Sequence, residues 1–425
     1  MQQETTLRLT RRVIGHVSAR LDELHLDDVV DPRKGKATWK IRTLLTAATV
    51  GMAAGCKGLG DVETLTTWLG VGARKRLRLW RRVPDTTLRD LLMALRPGEV
   101  RKLIRQAITI AHRRKQLQHD LPLRAVSMDG KGTSSWLFDK PNAKEKYGQI
   151  QDCRTVVRTI TSCLVSVPGR PCLDAHPIPP ETNEMGAFQD ALDALLSAYR
   201  RTLFDVVMYD SGACSLENAS YIKDKGLDYV LCLTLNQPTL LTEAERLLDG
   251  LPLEQCVAQT VDLDGSDVVT RRLFVTDKLA GWLDWSHLRT VIRLHCHRVD
   301  KVTGEVKTEN RHYLSSLAMD RLTPDQWLTL VRRRWSVENE NHNTYDTAFS
   351  EDDRPWILAP RGMVVVMLLR RLVYNLLTLY RSVTLRSESN RAMRWPTLLK
   401  TVHMALLKAT LEALAGICQR NTVTG

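Results

Sequence analysis

Through the first 120 residues the apolar positions recur at helical spacing. The stretch "TWKIRTLLTAATVGMAAGC" (38–56) is long and rich in Ala and Leu. Pro84, followed by Asp85 or Thr86 as N-cap, opens another helical run. In "EVRKLIRQAITIAHRRKQL" the positions Val100, Leu103, Ile104 and Ala107 share one face. At residue 121 the pattern changes. "LRAVSMD" (123–129), "TVVRTITSCLVSV" (155–167) and "PCLDAHPIP" (171–179) read as strands, and 182–200 reads as a helix with a Thr or Asn cap. "FDVVMYD" (204–210), "SLENASYIKDKG" and "DYVLCLT" (228–234) then give strand, helix and strand. This order predicts a mixed α/β sheet with a parallel part. Residues 251–315 alternate in four runs with polar turns such as "DLDGSD" and "DKVTGE" between them, which predicts an antiparallel insertion. From 323 onward the pattern is helical again, with a break at 354–362 and Pro396 opening a last helix.

The most apolar run, "MVVVMLLRRLVYNLLTLY" (363–380), carries Arg370 and Arg371 at its centre, so a buried helix is expected rather than a membrane span. The opening "MQQETTLRLTRRV" lacks the apolar segment of a signal peptide. Nine cysteines are scattered without a C-x-x-C pair, which points to a reducing compartment and no disulfide framework. Charge adds a partner class. The 425-residue chain carries a net charge of +13. Fourteen Lys and Arg against four acids fall in residues 71–120 alone, so a polyanion is the expected partner. The run "RKRLRLWRR" supplies Arg74, Lys75, Arg76, Arg78, Arg81 and Arg82 around Trp80 as candidate phosphate contacts. "DTTLRDLL" (85–92) offers a candidate recognition helix.

Two strands end in an aspartate where a loop begins: "VSMDGKG" at Asp129 and "VVMYDSG" at Asp210. In open α/β sheets ligands gather beyond the carboxyl ends of strands. Two adjacent carboxylates repel unless a cation lies between them, and Mg²⁺ is the cation that combines carboxylates with phosphate oxygens and water. A third acid is expected from "RRRWSVENENHNTYDTAFSEDD" (332–353). If 325–349 is one helix, Glu338 shares a face with Arg334, His342 and Tyr345. Periodicity leaves Glu338 and Asp346 both open. Other groups fare worse: His295 and His297 lack a second ligand cluster for zinc, Ser134 and Ser135 lack a nucleophile elbow, and Cys214 reads as a packed residue.

Over nearly its whole length the sequence resembles the DDE transposases of bacterial insertion sequences, in the branch that includes the H-repeat-associated proteins. "VSMDGKG" looks like that branch's first Asp motif, and "HPIPPETNEMGAF" like the segment before its second Asp. "VVMYDSGACSLENASYIKDKGLDYVLCLTLNQPTL" looks like the second Asp strand and the strand after it. "RHYLSSL" and "RRRWSVENENHNTYDTAFSEDD" look like its C-terminal signature. The resemblance implies an RNase H-like core. Its parts are a helical DNA-binding region at 1–120, core at 121–250, β insertion at 251–320, core with the Glu helix at 321–385, and a helical tail at 386–425. It implies Asp129, Asp210 and Glu338 as catalytic and metal-binding residues, with two Mg²⁺ ions (Mn²⁺ substituting). Asp129 would bridge the ions. Lys131, Arg332, Arg333, Arg334 and His342 join the implied DNA contacts. Tyr345 stands where related transposases outside the branch carry a Lys, and Val331 where they carry a Tyr. The expected activity is cleavage of element ends and transfer of the 3′-OH into target double-stranded DNA. The expected form is a homodimer on DNA in the bacterial cytoplasm, at the nucleoid and away from membranes. The alternatives are a transposase-derived DNA-binding protein that no longer transposes, and a structure-selective nuclease on the same fold. In related transposases a β insertion at this place accompanies cutting through a hairpin intermediate.

Overall fold

A computed structural model describes residues 2–33, 38–136, 154–385 and 387–407. The leading helices are α1 (Gln2–Glu23), α2 (Ile41–Ala53), α3 (Leu59–Trp68), α4 (Val71–Leu77), α5 (Asp85–Ala94) and α6 (Pro97–Arg113). Proline at the first turn suits α6, because its missing N–H would be unpaired there anyway. The stripe Val100, Leu103, Ile104, Ala107, Ile108 and Ala111 of α6 is buried, as its periodicity requires. α5 begins one residue earlier than the sequence suggested. Asp85 is its first residue, and its Oδ1 accepts only the Thr86 N–H at 2.6 Å.

The remaining chain forms a mixed α/β layer structure on one nine-stranded sheet. Its strands are β1 (Ala125–Trp136), β2 (Arg154–Leu164), β3 (Cys172–Pro177), β4 (Val206–Tyr209), β5 (Asp228–Leu233), β6 (Ala258–Asp264), β7 (Asp267–Thr276), β8 (Thr290–Asp300) and β9 (Val306–Ser315). Their spatial order is β3-β2-β1-β4-β5-β9-β8-β7-β6. β1, β4 and β5 are parallel neighbours; every other pairing is antiparallel. The four strands of 258–315 therefore do not form a sheet of their own. β9 bonds directly to β5, pairing Leu231 with Leu314, so they extend the central sheet sideways.

Between strands lie α7 (Glu184–Tyr199), α8 (Leu216–Asp224) and α9 (Pro238–Leu248), and after β9 come α10 (Pro324–Arg334) and α11 (Asn343–Thr347). Strand alternation sends Val126, Met128, Val207 and Tyr209 into one core with Phe188 and Leu192 of α7. It sends Ala125, Met208 and Val230 into another with Leu328 and Val331 of α10. The sheet is thus covered on both faces, which explains the near-continuous apolar runs of its parallel strands.

α12 (Pro360–Leu379) joins the two halves, followed by a wider π-helical turn at Tyr380–Thr384 and α13 (Glu388–Arg391). The stretch Pro360–Thr384 is long and apolar enough to cross a membrane, but its apolar 18-residue centre is buried inside the protein. It packs against α2, α5, α6 and strands β2 and β3, in one core with the leading helices and with helix 395–407. The central arginines are fully buried. Arg371 pairs with Glu351 and lies 4.1 Å over the Tyr345 ring, while Arg370 Nη1 is 3.9 Å from the same carboxylate. Burial lowers Arg370 to about 10. It would lower Arg371 too, but Glu351 and Tyr345 hold that group above its ordinary range.

Candidate active site

One face of β1 carries Ser127, Asp129 and Lys131, and each meets the α10–α11 segment. Ser127 Oγ donates to the Arg334 carbonyl at 2.9 Å. Asp129 Oδ2 lies 3.4 Å from His342 Nδ1. Lys131 Nζ donates to both Asp346 oxygens at 2.8 Å and lies 3.6 Å from Asp352. The pairing of 129 with 342 and of 131 with 346 reflects repeat lengths. Two strand residues rise about 6.6 Å and one helical turn about 5.4 Å, so the two steps nearly match.

The segment is not the single α-helix that the periodicity suggested. Val337–His342 forms a π-helical turn between α10 and α11. In an α-helix Glu338 and His342 would stack on one face. The wider turn separates them: Glu338 is exposed and His342 is buried with Nε2 unpaired. Burial, with Arg371 and Lys131 nearby, holds His342 well below its ordinary pKa, so it meets Asp129 as a neutral ring.

Asp129 does not end its strand, because pairing with β2 carries β1 on to Trp136; it meets Asp210 because β1 and β4 are parallel neighbours whose pairing stops at Ser127. Asp210 directly follows Tyr209, the last residue of β4, and its Oδ1 accepts the Gly212 N–H at 2.8 Å. Asp129 is pushed up to about 8 by burial first, then by Asp210; Arg334 opposes this, and Glu338 and Glu184 add to it. Glu184 is the acid that sequence reasoning missed. It lies at the first position of α7, inside the segment read as a capped helix. It too is raised, by burial and then by Asp210, against Arg158. An acid in the first turn of a helix with an Asn cap was the available signal. Among the described residues no three His, Cys, Asp or Glu side chains form a group that would hold a metal ion as they stand.

Glu338 opens into a groove of about 1160 Å³ between the sheet extension and the π-helical turn. Arg170, Arg271, Arg298, Lys307, Arg311, Arg332 and Arg333 line it, with Glu309, Glu340 and Asp346 among the acids. Two guanidinium groups, Arg311 at 4.1 Å and Arg334 at 3.7 Å, lie over the Trp335 ring and link the groove to the acids.

A sequence model of the family described as Transposase DDE domain matches residues 163–376, just over half of the chain. The chain belongs to the DDE transposase family. Membership makes this protein one of a family of enzymes that cut DNA and transfer its strands. The matched span includes Asp210, Glu338 and Glu184 and begins after Asp129. Among solved structures, a piggyBac transposase synaptic complex with hairpin DNA is similar at 11% identity, with a TM-score of 0.40. The match covers 96% of this chain and 81% of that one. No curated protein matches.

Several basic residues expected on DNA are turned inward in this transposase. Lys131 is held by Asp346, and Arg334 and His342 are buried beside Asp129. Arg74 gives its guanidinium to the carbonyls of Leu69, Thr66, Thr67 and Trp80. Arg332 and Arg333 instead stay on the groove wall, Arg333 paired with Asp120 and Arg332 3.0 Å from Asp262. Lys75, Arg76, Arg78, Arg81 and Arg82 are exposed, beside an exposed Trp80.

Proposed function

We propose that the chain is the transposase of a bacterial insertion sequence, with Asp129, Asp210 and Glu338 holding two Mg²⁺ ions in an RNase H-like core. The observation that carries this reading is the buried Asp129 of β1, placed beside Asp210 at the end of β4 and within the field of Glu338, so that burial and these two acids drive it up to about 8. Such repulsion is what a hard cation relieves, and an all-carboxylate donor set suits Mg²⁺ or Mn²⁺. When bound, the ions supply activation of water or a 3′-OH and stabilisation of the leaving oxygen.

The chain's own residues do the rest. His342, buried and neutral, orients Asp129 from one side. Arg334, fixed by its stack on Trp335, partly offsets the acids without occupying a carboxylate. The Arg-lined groove receives the DNA backbone. Its arginines are partnered by acids such as Glu309 and Glu340, whose side chains reach solvent; surface pairs are worth only about 0–1 kcal/mol, so these partners yield to phosphates. Lys75, Arg76, Arg78, Arg81 and Arg82 hold the flanking duplex from the helical region. Joining two element ends calls for a dimer on DNA.

The test is incubation of the chain with DNA carrying the sequences that flank its coding region, in Mg²⁺, with cleavage read at nucleotide resolution. Strand cuts at the element ends that leave a 3′-OH are expected. A chain that binds this DNA and cuts nothing in Mg²⁺ or Mn²⁺ refutes the proposal and leaves a DNA-binding protein.

A further inference from the structure

We infer that Glu184 is a fourth carboxylate of the divalent-cation site, reaching it from the face of the sheet opposite Glu338; this rests on the metal-dependent reading above. Ser127 and Asp129 face α10, so the next residue, Gly130, faces α7. The Glu184 carboxylate lies directly on Gly130. A Cβ there would stand 1.9 Å from Oε1, 2.0 Å from Cδ and 2.3 Å from Oε2. It also lies 3.5 Å from where a Cβ on Gly212 would be, and the Gly212 N–H is the one that Asp210 holds. The residue after Asp129 and the second residue after Asp210 are therefore both glycines where Glu184 enters. A side chain at 130 would collide with the Glu184 carboxylate, and a Cβ at 212 would be in contact with it.

The approach is built rather than incidental. Asn183 caps α7 by accepting the Gly186 N–H at 3.0 Å, which sets the helix start. Arg158 of β2 donates to the carbonyls of Pro179, Pro180 and Thr182, at 3.4, 3.3 and 2.7 Å, and so fastens the segment that leads into it. An independent observation points to a ligand. The Tyr209 hydroxyl is fully buried and has no hydrogen-bond partner among the described residues. The charge acting on it most strongly is Glu184, followed by Asp210 and Asp129. A buried donor left unpaired among three acids suits a position where an ordered water, held also by a cation, completes the set.

The experiment measures Mn²⁺ binding to the DNA-free full chain by calorimetry and by the loss of the free-ion paramagnetic signal. Wild type is compared with E184Q, G130A and D129N, and the metal-free melting temperature is recorded for each. E184Q should weaken Mn²⁺ binding by about 10–100-fold, the range seen when a partner of a metal site is removed. G130A, which drives the carboxylate off its seat, should do the same. Metal-free E184Q should melt no lower than wild type, since a repelling charge is gone. If E184Q and G130A bind Mn²⁺ as wild type does while D129N does not, the inference is overturned and the three-acid reading stands. A lower metal-free melting temperature for E184Q with unchanged Mn²⁺ affinity would likewise reduce Glu184 to a helix-end acid. A wild type that binds no Mn²⁺ sinks both readings together.

Discussion

Replacing Asp129 by Asn should stabilise the metal-free protein, and the gain should grow with pH. Asp129 sits at about 8 in the folded chain, against about 3.9 in an unfolded one. Its folded value is raised, so the folded state holds the extra proton between those limits. Folding stability is therefore undiminished below about pH 4 and falls as pH rises toward 8. At 1.36 kcal/mol per unit, the penalty is about 1–2 kcal/mol at pH 5 and about 5 kcal/mol at pH 8. The side chain is 13% exposed, so solvent screening trims these figures only modestly. Asn keeps the shape and cannot ionise, which removes the penalty. The assay is urea unfolding of wild type and D129N at pH 5, 6, 7 and 8 with a chelator present. Other titrating groups cancel in the difference between the two proteins. The difference should favour D129N by a margin that widens by roughly 3–4 kcal/mol from pH 5 to 8. A difference that is flat across this range would refute the idea that Asp129 is held protonated by burial and its acidic neighbours.

The same proton governs the metal. Mn²⁺ affinity should rise about tenfold per pH unit from pH 5 to 8 and then level, with proton release seen by calorimetry in two buffers of different ionisation enthalpy. Glu338→Gln should lower cleavage of element ends by several orders of magnitude while gel-shift affinity for them persists, because binding rests on cationic contacts and chemistry on the metals. Neutralising Lys75, Arg76 and Arg78 together should flatten the salt dependence of DNA binding by roughly 0.9 log units per lost phosphate contact, and an unchanged slope would make this run a solvated face. Arg371→Met should cost about 3–5 kcal/mol in urea unfolding, since Glu351 would be left buried without its closest partner.

Much of the chain's organisation was legible locally. The order of strands and helices from 123 to 234 and the four alternating runs of 251–315 come from patterns set by neighbours two to four residues away. So does the buried character of 363–380, because two arginines in an apolar run demand a partner inside a protein rather than a lipid surface. The position of Asp210 just past its strand was equally plain, whereas Asp129, read as a strand end before Gly130, lies inside a strand that its pairing with β2 carries on to Trp136.

What tertiary structure alone decided is which charges face one another. Periodicity left Glu338 and Asp346 open, and the π-helical turn breaks the α spacing on which that comparison relied. The fold gives Asp346 to Lys131 and Glu340 to Arg170, while Glu338 faces the groove. It turns Lys131 and His342 inward, although a basic residue in a motif reads in sequence as a ready phosphate contact. It continues the central sheet through β5 and β9, where alternation predicted the strands but not their neighbour. It brings Glu184 onto Gly130 from 54 positions away along the chain. Secondary structure is written in short-range periodicity. The neutralisation of a buried charge is settled by groups far apart in sequence, and only the packed chain brings them together.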